Sequence, residues 1–146
     1  MRADPDGVLL GASLDFAGAS VLGSVVAIRD QLPGEPFGVS ISLSVPAGLL
    51  AGWGAAVAAP WPMPVAAVTA AAAARHREPG AGPGSVCAAI GLGCIVGTVI
   101  EPVTRRPRSW SSTTGLAIGV NLAASAALVG AGAWHAATAR RQRGGR

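Results

Sequence analysis

Few side chains in this sequence could do chemistry, and they stand apart from one another. Asp15 interrupts an apolar stretch that runs from Gly7 to Ile28. Glu101 closes another, with Pro102 directly behind it and Arg105, Arg106 and Arg108 close after. Asn121 lies inside a third. An acid within an apolar run is a candidate proton or cation site, or else it is held by a hydrogen bond from another helix. Asp at mid-span costs about 2.5–3.5 kcal/mol on insertion scales. Asn121 is the expected partner of Asp15, because each lies about eight residues, or ~12 Å, into its stretch. Glu101 sits where a negative charge opposes the helix macrodipole. Arg105 is close enough in sequence to offset it as an interfacial pair. The same EPVTRR segment could instead line an outward site for an ion or an anionic group. Asp15, Asn121, Glu101 and Arg105 are therefore the candidate site residues.

The remaining reactive groups point to structure. Cys87 and Cys94 lie two helical turns apart, a separation of about 10 Å that exceeds disulfide reach. They read as small apolar side chains. His135 stands beside Trp134 and reads, with Trp61 and Trp110, as an interfacial anchor. His76 falls in a charged segment and reads as solvated. Neither histidine has a second histidine nearby on a helix face, so no metal or cofactor is expected. There is no Ser/His arrangement, paired carboxylate or HExxH motif, so the chain is not expected to be an enzyme.

The elements that carry these residues follow from where charge is missing. Charged residues make up 12% of the 146, against a usual share of roughly 25%. Hydrophobic residues make up 51%, and mean hydropathy is +0.50. No Asp, Glu, Lys or Arg occurs between Glu35 and Arg75, between Glu78 and Glu101, or between Arg108 and Arg140. Each run reaches the ~20 apolar residues that a bilayer-spanning helix needs. A soluble domain of this composition would have too few charges to cover its surface. The expected fold is an all-α polytopic integral membrane helix bundle, one domain over 1–146. Its helices are placed at about 7–28, 37–58, 62–76, 85–101 and 113–139, with a basic cytoplasmic tail at 140–146.

Prolines decide the helix count. Pro46 falls inside the second helix and should kink it. Pro60, Pro62 and Pro64 alternate, and each pushes its predecessor out of the α region, so a helix through Ala59 to Met63 is not expected. A short third helix then starts near Pro62, since proline suits a first turn. The alternative is four spans, one of them a kinked helix over about 49–74. Glycines four apart (Gly48 and Gly52, Gly93 and Gly97, Gly115 and Gly119) suggest close packing of helices 2, 4 and 5.

Topology follows from arginine placement. With five spans, Arg29, Arg75, Arg77, Arg140, Arg141, Arg143 and Arg146 share one side, seven against the four of Arg2, Arg105, Arg106 and Arg108. With four spans Arg2 and Arg29 exchange sides and the balance is unchanged. Either way the C-terminus is cytoplasmic and the chain is multi-pass in the cell membrane. The N-terminus lies outside with five spans and inside with four. Asp4 and Asp6 offset Arg2 and Asp15 interrupts the apolar stretch, which argues for an uncleaved first span over a signal peptide.

The eleven basic residues are all Arg and sit between the apolar runs, so nucleic acid is not an expected partner. The expected partners are the lipid bilayer and either other membrane proteins or further copies of the chain in a homo-oligomer. The role expected is structural or accessory. The alternative is a subunit of a small oligomeric transporter or channel that uses Asp15, Asn121 and Glu101.

Overall fold

The computed structural model describes residues 4–39, 42–76 and 80–145. Five α-helices and two single turns of 3-10 helix are found among them, with no strand beyond isolated bridges. The helices are α1 (Pro5–Arg29), α2 (Val45–Ala51), α3 (Pro62–Ala74), α4 (Gly82–Ile100) and α5 (Ser112–Gly144). Three of them, α1, α4 and α5, are long and apolar enough to cross a membrane by length and composition.

The local sequence explains the boundaries. Asp4 caps α1 by accepting from the N–H groups of Asp6 and Gly7, and Pro5 opens the first turn. Ser111 caps α5 through the Thr114 N–H. α5 continues through Arg140 and Arg141 to Gly144, so the expected tail is mostly the last turns of a helix.

The second helix departs from expectation. Among the described residues of 37–58 no spanning helix forms: beyond the 3-10 turn Pro36–Gly38, only the seven residues of α2 are helical, a rise of about 10 Å. Ser44 caps it, and Pro46 belongs to its first turn and kinks nothing. Gly52 ends it in the left-handed region at φ 90, and Gly54 follows at φ 85. These conformations are open to glycine at little cost. The chain from Gly52 to Trp61 is then irregular, so an unbroken kinked helix over 49–74 is absent too. α3 begins at Pro62, where the proline triplet predicts it.

α1, α5, α4 and α3 pack in a ring, each antiparallel to its neighbours. Arg29 Nη2 donates to Thr113 Oγ1 at 2.6 Å, joining the end of α1 to the start of α5. At the opposite end, His135 Nε2 meets Asp6 Oδ1 at 3.0 Å. The N-terminal end of α1 and the C-terminal end of α5 therefore share one end of the bundle. Five spans would put them at opposite ends, so that arrangement is overturned. The cause is α2, which is too short to cross and returns the chain to the middle of the bundle.

The interior is small and the exterior large. α1 turns Leu9, Ser13, Phe16, Ser20, Gly23 and Ala27 inward, and exposes Leu14, Val21 and Val25. α3, α4 and α5 expose Val65, Leu92, Val96 and Leu116 in the same way. α4 and α5 meet at glycines other than the expected pairs. A methyl built on Gly84 would lie 2.5 Å from Gly132 O, and one on Gly132 the same distance from Gly84 O. At Gly91 it would lie 2.7 Å from Ser125 O. Gly93, Gly97 and Gly119 face open space. Spacing alone could not separate the two sets, because the contact depends on which face α4 turns to α5.

Gly132→Ala should therefore force the two backbones apart and lower stability by about 1–3 kcal/mol, the usual cost of overpacking. Gly119→Ala, on an open face of the same helix, should cost nothing measurable. Thermal melts of both variants in mild detergent check this, and equal melts would remove the close approach as a stabilising contact.

Candidate functional site

Asn121 is the buried side chain that ties the most elements together among the described residues. It is 5% exposed, and its Nδ2 donates to Ala19 O at 3.2 Å, Val57 O at 3.0 Å and Ala117 O at 3.0 Å. These carbonyls belong to α1, to the irregular segment after α2, and to α5 itself. Two amide hydrogens thus serve three acceptors. The network also fixes the amide's orientation, since a flipped amide would set Oδ1 against three carbonyls.

Asp15 is not part of this network. It is exposed on the outer face of α1, beside Leu14 and between Gly11 and Gly18, which have nothing within 4 Å of a built methyl. The expected pair with Asn121 does not form. The inward stripe of α1 is set by Phe16 and its small neighbours, and Asp15 lies off that stripe. Asn121 meets the Ala19 carbonyl, one turn further along α1.

Glu101 is buried, at 6% exposure. It follows α4 in an extended conformation (φ −63, ψ 135), and Pro102 turns the chain away behind it. Its Oε2 accepts from the Glu35 N–H at 3.0 Å. The expected pair with Arg105 is also absent. Arg105 is exposed, and its Nε donates to the Val99 carbonyl at 3.5 Å, one of the carbonyls that the end of α4 leaves open. Burial raises the Glu101 carboxyl above the ordinary carboxylate range. The Glu35 N–H works against this, and the Glu35 charge adds to it.

Two of the four expected residues meet at one place. Glu101 and Asn121 line a cavity of about 140 Å³ between the Gly52–Pro60 segment, α4 and α5. Thr98, Ser125 and Trp53 line it as well. Trp53 is held there by its Nε1–H, which donates to Gly34 O at 2.7 Å. Asp15 and Arg105 lie outside it. The arrangement offers one carboxylate, one amide and two hydroxyls, which are hard oxygen donors, beside the sulfurs of Cys94 and Met63, and no arginine or lysine.

A second polar group sits at the other end of the bundle. His135 is 5% exposed and is not the interfacial anchor that its neighbour Trp134 suggests. Nε2–H donates to Asp6 Oδ1, while Nδ1 packs against Gly84 with no partner among the described residues. Asp4, Asp6, His135, Thr138 and Gln142 line a cavity of about 570 Å³ there. Sequence reasoning missed the pair because the five-span count put Asp6 and His135 on opposite sides. An even number of passages was the signal that would have brought them together. Cys87 and Cys94 are free and buried, the former against Ala67 O and Ser13 Oγ.

No protein-family model, curated protein or solved structure matches the chain. The class its own structure defines is an all-helical bundle with three helices long and apolar enough to cross a membrane.

The raised Glu101 carboxyl sets a sign for pH dependence. Folding favours its protonated form, so its contribution is full below the unfolded value of about 4.3 and is lost as pH rises through the folded one. In a choline-based buffer the melting midpoint should fall as pH climbs through that window. Glu101→Gln should flatten the fall, and a variant that keeps the whole of it would assign the effect to another carboxylate.

Proposed function

We propose that this chain is a small multi-pass integral membrane protein of the cell membrane, with four passages and both termini cytoplasmic. Its proposed role is structural or accessory and non-enzymatic. The observation that carries the reading is the distribution of side chains: serines, an asparagine and alanines make up much of the interior beside a few large residues such as Leu9, Phe16, Ile118 and Leu128, while Leu14, Val21, Val25, Leu92, Val96 and Leu116 of the long helices point outward. In water this arrangement would be inverted. In lipid it is the favoured one, because close backbone packing and internal hydrogen bonds hold helices together there.

Four passages fit the up-down order of α1, α3, α4 and α5. α3 has 13 residues, a rise of about 20 Å, and the irregular segment before it makes up the rest of a core near 30 Å. In sequence, four passages set Arg2, Arg75, Arg77, Arg140, Arg141, Arg143 and Arg146 on one side against Arg29, Arg105, Arg106 and Arg108 on the other, seven to four, which orients the first side toward the cytoplasm. The non-enzymatic reading is supported by the Asp6–His135 pair itself, whose second nitrogen meets a glycine and no nucleophile. An accessory role is supported by Asp15. An acid on the outer face of a lipid-embedded helix is costly unless another membrane protein, or a further copy, covers it.

Topology reporters test the reading. Fusions before Met1 and after Arg146 should both report the cytoplasmic side, and a cysteine at Ser109 should react from outside in intact cells. An N-terminal fusion that reports outside would refute four passages.

A further inference from the structure

We infer that the cavity beneath Glu101 is a binding site for a small monovalent cation, sodium in size and hardness. The inference rests on the cavity's own walls and does not depend on the membrane reading.

Four side-chain groups face one space. Glu101, Asn121 and Ser125 are 6%, 5% and 2% exposed, and Thr98 lies one helical turn before Glu101 on α4. Asn121 spends its amide hydrogens on three carbonyls, which leaves Oδ1 without a partner among the described residues. Thr98 Oγ1 and Ser125 Oγ carry no hydrogen bond there either. Glu101 receives one, from Glu35 N–H, on Oε2. Polar groups in an interior are ordinarily satisfied, and Asn121 Oδ1, Thr98 Oγ1 and Ser125 Oγ share this cavity, whereas the unpartnered Thr104 Oγ1 and His135 Nδ1 lie outside it.

Charge selects the occupant. A buried carboxylate needs a counter-charge or a proton. Arg105, the nearest arginine in sequence, turns to the Val99 carbonyl, and no basic side chain lines the cavity. Glu101, Asn121, Thr98 and Ser125 offer oxygens, the ligands of hard cations, while the two sulfurs that also line the cavity face each other, Cys94 Sγ donating to Met63 Sδ at 3.4 Å. One carboxylate matches a single positive charge. A volume of about 140 Å³ leaves room for water beside the ion, since a water needs about 10–15 Å³ measured this way. Glycine keeps the space open: Gly93 and Gly97 line the cavity, and a methyl at either would meet nothing within 4 Å. Those two glycines, which pack against no helix, thereby gain a role.

The test is a thermal melt of the full chain in an uncharged detergent at pH 8, with sodium chloride titrated against choline chloride at constant ionic strength. Sodium should raise the midpoint along a saturating curve. Glu101→Gln should abolish the rise. Thr98→Val keeps the shape and removes one oxygen, and should raise the half-saturating sodium concentration roughly tenfold, the equivalent of 1.4 kcal/mol. If Glu101→Gln does not fold, Thr98→Val carries the test alone. Equal curves in sodium and choline would overturn the site. So would a sodium response that survives in both variants, or a midpoint that responds to pH and never to sodium.

Discussion

An apolar bundle cannot leave a backbone carbonyl unpaired, and that constraint governs this fold. The chain breaks its helix between Ala51 and Pro62, which frees carbonyls and N–H groups in the interior half of the molecule. Each unpaired group there would cost several kcal/mol. Asn121 answers one of them by donating to Val57 O, and its remaining hydrogen-bonding capacity goes to α1 and α5. Others are met within the backbone: Trp61 N–H donates to Leu49 O, Ala56 N–H to Leu32 O, and Ala55 and Ala58 pair with each other. The indole of Trp61 reaches Ser24 Oγ at 3.1 Å. An irregular segment is thereby tolerated in the middle of a helical bundle.

The other features follow from that break. Because α2 turns back, α3 starts halfway through the bundle, and the number of full passages becomes even. The even count brings Asp6 to His135. α4 and α5, joined by the short connection 101–111, close on Gly84, Gly91 and Gly132. Where the broken segment faces α4 it does not fill the space, and Gly93, Gly97 and Thr98 look into the cavity that remains. Glu101 stands at the mouth of that space because Pro102 stops α4 and turns the chain. One interrupted helix therefore accounts for the topology, for the histidine–aspartate pair and for the oxygen-lined cavity.

Much of the helical content was legible in the sequence. Charge-free runs of sufficient length located α1, α4 and α5 to within a few residues of most of their ends, and the proline triplet located the start of α3. What failed was the second helix. Gly52 resembles a packing glycine in a GxxxG pattern with Gly48, whereas it serves a left-handed cap, with Gly54 in the turn that follows, and only φ separates the two uses. Asn121 and Glu101 were legible as polar residues at the ends or middles of apolar stretches, and they do share a cavity. Their partners were not legible. Depth along a helix predicted Asp15 for Asn121, but partners are chosen by rotation about the axis, and Phe16 sets that rotation. Glu101 and Arg105 are neighbours in sequence, yet the turn at Pro102 separates them. The contact of Asp6 with His135 joins residues near the two ends of the chain, and no local pattern announces it.

The parallel, diagonal placement of α1 and α4 is where the account is most exposed, because it holds only if a single full passage, α3, runs between them. Ser13 Oγ lies 3.8 Å from Cys87 Sγ across that diagonal, within the reach of a disulfide once both are sulfur. Ser13→Cys, oxidised with copper phenanthroline, should give an intramolecular crosslink that disappears when Cys87→Ala is added and survives Cys94→Ala. A cysteine at Ser13 that stays free, or that pairs only with Cys94, would contradict the bundle described here.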